Sequence, residues 1–140
     1  MRSTTTALLF IDFDGVLHRG TSGTFRQLPL LEAWLRSQPH VGVVISSTWR
    51  WAHTLEELRD FFSPDVATQV IGVTPTLRTR ELEILAWRQA AQLEALPFAV
   101  LDDEPALFSP GWPPLLAIDG RVAITDQDLH ALTLRLGMLG

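Results

Sequence analysis

The chain has 140 residues, 46% hydrophobic and 19% charged, enough for one hydrophobic core and a single domain spanning 1–140. Its 11 basic and 16 acidic residues leave a net charge of -5, which argues against a broad nucleic-acid footprint but not against a local phosphate site. Cysteine is absent, which excludes disulfides and thiolate metal sites; lysine is absent too, so every fixed positive side chain is an arginine.

Met1 to Thr6 reads as a frayed leader. Leu8 to Asp12 is the first strand, a short apolar run of the kind that suits a strand buried on both faces. The run is too short for a signal peptide and meets Asp12 at once, and no apolar stretch reaches transmembrane length. A soluble, cytoplasmic protein with no membrane partner is expected. His18 to Thr24 is a loop rich in Gly and Ser. Leu28, Leu31, Trp34 and Leu35 repeat at helical spacing, with Pro29 in the first turn and Pro39 closing the helix.

Val41 to Ile45 is a second buried strand and runs into Ser46, Ser47 and Thr48. Trp51, Leu55, Leu58 and Phe62 mark another helical face, interrupted at Pro64 and Asp65. Gln69 to Val73 forms a short third strand, and Pro75 to Thr79 a loop. Thr79 is placed to cap the next helix, whose inner face reads Leu82, Leu85, Ala86, Gln89, Leu93 and Leu96 before Pro97 ends it. Phe98 to Leu101 is a fourth strand, ending in Asp102, Asp103 and Glu104. Leu115 to Ile118 is a fifth, followed by a turn at Asp119-Gly120 and an extended piece, Val122 to Ile124. Thr125 and Asp128 spell a capping box for a last helix with Leu129, Leu132 and Leu136 on one face.

Short apolar strands alternating with amphipathic helices predict an α/β fold, a Rossmann-like three-layer α/β/α sandwich around a central parallel sheet. Its crossovers should be right-handed. Ligands of such sheets bind beyond the carboxyl ends of the strands, where three polar tips fall here. Two acids at the end of a buried strand are costly unless a partner neutralises them, and a bound cation is the usual partner.

A strand-tip carboxylate can be a nucleophile toward phosphorus. Mg²⁺ suits the charge, since it prefers hard oxygen ligands. Asp12 and Asp102 are candidate carboxylate ligands, with the Asp14 backbone carbonyl a third. Asp103 could ligate directly, act through water or orient the others. Hydroxyls and N–H groups at Ser46 to Thr48 could hold phosphoryl oxygens, and an arginine would add the missing positive charge. Asp14 could protonate the leaving oxygen and later take a proton from water. Gly15 lets the chain turn away from the site. Each residue also has a plainer reading: turn or cap for the acids and hydroxyls, a solvated pair for Arg78 and Arg80, packing for Trp49 and Trp51, a bystander in the loop for His18.

The motifs DFDGVLH (Asp12 to His18), SSTWR (Ser46 to Arg50) and LDDEP (Leu101 to Pro105) together resemble the haloacid dehalogenase (HAD) superfamily of phosphohydrolases, in the right order along nearly the whole chain. ISSTWR, TRELEILAW and VLDDEP are most similar to the small HAD domains of RNA-repair (Swiss Army Knife) proteins. The resemblance implies Asp12 as nucleophile and metal ligand, Asp14 as general acid/base, and Asp102 with Asp103 as acidic metal residues. The hydroxyl role falls on Ser47 when the motif is aligned on Trp-Arg, or on Ser46 when aligned on strand length; Ser47 is preferred. The family's basic residue, usually lysine, must here be arginine: Arg80 first, Arg78 second.

The segments between motifs are too short for a substantial cap, so the resemblance implies an open site and a large phosphorylated substrate, such as a phosphoprotein or a nucleic-acid end. His18, Arg19, Trp49, Arg50 and Trp51 would stand near its mouth. The expected activity is Mg²⁺-dependent phosphomonoester hydrolysis through an aspartyl-phosphate. The alternative is a HAD-fold binding or regulatory module that keeps the metal site and turns over poorly. A phosphoacceptor receiver domain fits less well, because its acid pair comes first in the chain and a lysine comes late.

Overall fold

The structure, a computed structural model, describes residues 4–138. Five parallel strands form its sheet: β1 (Ala7–Ile11), β2 (Val41–Ile45), β3 (Val70–Val73), β4 (Phe98–Asp102) and β5 (Leu115–Ala117), in the order β3-β2-β1-β4-β5. The helices are α1 (Leu28–Ser37), α2 (Leu55–Arg59), α3 (Pro64–Ala67), α4 (Arg80–Ala90) and α5 (Asp126–Arg135), with 3₁₀ turns at Thr48–Trp51 and Pro105–Leu107.

The period-two alternation of the strands builds two separate cores. Ala7, Leu9 and Ile11 of β1, Val43 and Ile45 of β2, and Leu101 of β4 face one side, where α1, α2, α3 and α5 pack. Leu8, Phe10, Val44 and Val100 face the other, against Ile84 and Trp87 of α4 and the aromatic pair Phe108 and Trp112. This is the three-layer sandwich the sequence implies. The chain moves outward from β1 to β3 over one face and returns to β4 over the other, so both crossovers share one hand, as parallel sheets require. The direction reverses beside β1, and the crevice beyond the strand ends opens there.

α1 and α5 are locked by a buried bond: Trp34 Nε1 donates to Thr133 Oγ1 at 2.9 Å, and Thr133 donates to the Leu129 carbonyl at 3.0 Å. Thr133→Val would leave the indole N–H buried without an acceptor. We expect a loss of about 1–3 kcal/mol in urea unfolding; a value inside the ordinary surface range would mean that water reaches the indole.

Several expectations are corrected. α4 begins at Arg80 and turns Arg80, Glu83, Ile84 and Trp87 inward, while Leu82, about 200° round the helix from Arg80, is exposed, as is Gln89. The helix stops at Ala90, so Leu93 and Leu96 pack from the turn that follows rather than from the helix. The face expected from Trp51 to Phe62 is broken by the Thr54 capping box, and Trp51 is 64% exposed. Pro64 opens α3 rather than merely ending what precedes it. Val122 lies in a turn. Of the expected frayed leader, Met1 to Ser3 lie outside the described residues, whereas Thr6 N donates to the His40 carbonyl at 2.9 Å.

Candidate functional site

Strand register brings the three polar tips together. Ile11 pairs with Ile45 on one side and Leu101 on the other, so Asp12, Ser46 and Asp102 stand at adjacent strand ends. One oxygen from each of Asp12, Asp102 and Asp103 lies within 4.8 Å of the others. Asp12 is 5% exposed and Asp102 is fully buried. Arg80 reaches both from the first turn of α4, with Nη1 2.8 Å from Asp102 Oδ2 and 3.6 Å from Asp12 Oδ2. The remaining carboxylate oxygens accept backbone N–H groups, from Phe13 at 2.9 Å for Asp12 and from Glu104 at 2.9 Å for Asp102.

Three carboxylates against one guanidinium leave an excess of negative charge. Burial, with the neighbouring Asp102 charge, pushes the Asp12 carboxyl from 3.8 up to about 8, although Arg80 opposes the rise. Burial raises Asp102 as well, again against Arg80. Burial works against the Arg80 charge, but Asp102 and Asp12 outweigh it and hold its pKa above the usual value. An all-oxygen donor set with surplus negative charge fits a hard divalent cation, and Mg²⁺ matches that chemistry. Asp12, Asp102 and Asp103 would hold it.

The linkage has a definite sign. A carboxyl with a raised folded pKa contributes stability that is full below 3.8 and lost as pH rises to about 8. Neutralisation by Mg²⁺ should therefore raise Tm more at pH 8 than at pH 5 in a thermal-shift series. An Mg²⁺ effect that is equal at the two values would disconnect the ion from Asp12.

Asp103 sits between two glycines. Gly15 has φ +77, a conformation that favours glycine, and a Cβ there would collide with the Asp103 carboxylate. A Cβ on Gly120 would lie 2.6 Å from the same carboxylate. Gly15 thus packs under the acids; nothing places it against a ligand.

A cavity of about 210 Å³ opens over Asp12, Asp14, Arg80 and Asp103, with Thr48 and Thr21 on its walls. Asp14 is held from behind. His18 Nε2 donates to Asp14 Oδ1 at 2.8 Å and Trp49 Nε1 to the same oxygen at 3.2 Å. His18 is fully buried against Phe25 and Trp49, and its Nδ1 has no partner among the described residues, which fits a ring carrying its proton on Nε2. Both donors use one oxygen, so Oδ2 of Asp14 is left for the cavity.

The other expected residues fall elsewhere. Ser46 and Ser47 are fully buried; Ser46 Oγ donates to the Ile11 carbonyl at 3.2 Å, and Ser47 Oγ accepts from Trp49 N at 3.2 Å as the cap of the 3₁₀ turn. Of that trio Thr48 lines the cavity. Arg50 turns inward, pairs with Glu83 at 2.9 Å and donates to the Ser46 and Ser47 carbonyls, so it braces the loop from beneath. Arg78 lines a neighbouring cavity with Trp51 and is not among the residues lining the Asp12 cavity.

Sequence reasoning missed the Asp14 support and the Arg50–Glu83 pair. His18, four residues after Asp14, offered a local signal; Glu83, 33 residues after Arg50, offered none.

Among the described residues no helix is long and apolar enough to cross a membrane. A search of curated proteins returned no match. The family model for the HAD domain in Swiss Army Knife RNA repair proteins matches residues 8–129. With the three motif tips converging on one crevice and most of the chain matched, this protein belongs to that family of HAD domains.

Proposed function

We propose that the domain is a Mg²⁺-dependent phosphomonoester hydrolase working through an aspartyl-phosphate. The observation that carries the reading is the placement of Asp12 and Asp14 on one small cavity, with Arg80 across from them. When bound, the cation would neutralise the phosphoryl oxygens and hold Asp12 ionised. A carboxylate oxygen of Asp12 attacks phosphorus, and the bond to the leaving oxygen breaks. Asp14 gives that oxygen its proton from Oδ2. Asp14 then takes a proton from water as the water attacks phosphorus, releasing phosphate and restoring Asp12. Arg80 supplies positive charge beside the transferred group, and Thr48, on the cavity wall, offers it a hydroxyl.

The first test is hydrolysis of a generic aryl phosphate with Mg²⁺ against a chelated blank. Loss of all turnover above the blank would remove the hydrolase reading. Asp14→Asn tests the acid role: we expect ~10²–10⁴-fold slower release of an alkyl alcohol and a much smaller effect on a nitrophenolate, which leaves without a proton. Equal losses would deny Asp14 that role.

A second reading, a binding or regulatory module, is favoured by one observation. Arg80, the positive charge offered to the phosphoryl group, is already paired with Asp102 at 2.8 Å, which draws it away from a substrate and slows turnover without removing the acids. A protein that gains thermal stability with Mg²⁺ yet hydrolyses no faster than its Asp12→Asn variant would fit this reading.

A further inference from the structure

Ten arginines lie among the described residues, and seven are held. Arg36, Arg50, Arg80 and Arg121 pair with carboxylates; Arg59, Arg88 and Arg135 donate to backbone carbonyls. Arg19, Arg26 and Arg78 make no hydrogen bond or ion pair among the described residues. All three line cavities on the loops that border the Asp12 cavity in sequence. Arg78 shares its cavity with Arg80. Arg19 and Arg26 share another, of about 510 Å³, with Ser22, Thr24 and Gln27. Gly20 and Thr21 line the Asp12 cavity while Arg19 and Ser22, their immediate neighbours in the chain, line the larger one, so one loop contributes to both.

The loop carrying these groups is fixed at both ends. Gly20 N donates to the Gly120 carbonyl at 2.8 Å, and Gly15 N donates to the Gly20 carbonyl at 2.9 Å. Beyond the loop, Phe25 (φ 54) stacks on Phe61 at 4.9 Å, and Gln27 N donates to the Leu17 carbonyl at 2.9 Å. Two guanidinium forks with no carboxylate in the lining match the oxygens of a phosphate, and beside them the Ser22 and Thr24 hydroxyls, 3.1 Å apart and bonded to each other, keep one further hydroxyl proton to give. In a chain of net charge -5, arginines without a partner among the described residues have an anion as their natural partner.

We propose that the cavity of Arg19, Arg26, Ser22 and Thr24 is a second anion subsite, which holds another phosphate of the same substrate while the scissile phosphoryl group meets Asp12. This rests on the phosphohydrolase reading and narrows it: the substrate class is a phosphomonoester carrying a second phosphate nearby. A nucleic-acid end and a small bisphosphate share that chemistry.

Two experiments separate the claims. In the first, kcat/KM is measured for an aryl phosphate, a 3′-phosphorylated dinucleotide and butanediol bisphosphate. For Arg19→Gln/Arg26→Gln we expect the value for at least one two-phosphate substrate to fall ~10-fold more than for the aryl phosphate, through KM. A response confined to the dinucleotide or to the bisphosphate identifies the source; equal losses on all three substrates overturn the subsite. The second experiment measures binding of the same dinucleotide and bisphosphate to the Asp12→Asn protein and needs no turnover. Arg19→Gln/Arg26→Gln should weaken at least one of them by ~10-fold and flatten its salt dependence, whereas the charge-matched control Arg36→Gln/Arg121→Gln should do neither. Equal effects of the two pairs on both ligands would overturn the subsite. If turnover is absent while the binding difference persists, the hydrolase reading fails and the subsite stands.

Discussion

Asp12→Asn is expected to lower phosphatase turnover by ~10³-fold or more while making the metal-free protein more stable near pH 7.5. The two effects share one cause. Asp12 must be an ionised nucleophile in the reaction, yet it is buried beside Asp102 and its carboxyl is pushed up to about 8. In the unfolded chain the same group ionises at its ordinary value, so near neutral pH the folded state bears the cost of burying it. An amide keeps the shape, still accepts from Phe13 N and removes the repulsion. Kinetics and denaturation of one variant, both without metal and with saturating Mg²⁺, therefore read the two sides of one trade. A variant that is inactive and also less stable without metal would show that Asp12 is a structural acid, not a strained functional one.

Glu83→Ala is expected to cost about 3–5 kcal/mol. The Arg50 and Glu83 side chains are 4% and 7% exposed, and Glu83 also accepts from Leu77 N at 2.9 Å. Removing the acid strands a buried guanidinium whose pKa is already lowered by burial, the Glu83 charge being what chiefly opposes the drop. Arg50 in turn holds the Ser46 and Ser47 carbonyls, so the loop that carries Thr48 should loosen and activity should fall with stability. The double variant Arg50→Met/Glu83→Leu should recover much of the stability, since replacing both members of a buried pair removes the stranded charge. Chemical denaturation of the three proteins checks this; a single variant within about 0.5 kcal/mol of wild type would mean that water already reaches the pair.

How much of this was legible in the sequence follows from how local each signal is. The strands were readable because their apolar runs are short, uninterrupted and end in polar residues; β2 lies where it was expected, β1 is shifted by one residue at both ends, and β4 differs by one residue at its end. The caps at Thr79 and Thr125 were readable because capping is a pattern confined to four consecutive residues. α4 was misjudged because its rotation is set by distant partners. Arg80 must meet Asp102 and Glu83 must meet Arg50, and those two contacts turn Leu82 to solvent.

The same distinction holds at the site. Three of the four acids expected at the metal, Asp12, Asp102 and Asp103, could be grouped from the sequence because they close two adjacent strands of one sheet edge; Asp14 stands outside that cluster. Choosing between Arg80 and Arg78 needed the helix rotation, which places Arg80 on the acids. The serines were expected to face a ligand, but their hydroxyls are engaged, Ser46 across the sheet by the Ile11 carbonyl and Ser47 locally by the Trp49 N–H. His18 was read as a bystander because a polar residue in a Gly-rich stretch is usually exposed; here the aromatic cluster of Phe25, Trp49 and Phe61 closes over it and turns it onto Asp14.

The most direct measurement is a crystal structure grown in saturating Mg²⁺. One ion per chain is expected at the strand ends, about 2.0–2.1 Å from carboxylate oxygens of both Asp12 and Asp102, with water completing an octahedron. Clear density at those strand ends with no ion between Asp12 and Asp102, or an ion bound with Asp12 turned away, would contradict that expectation.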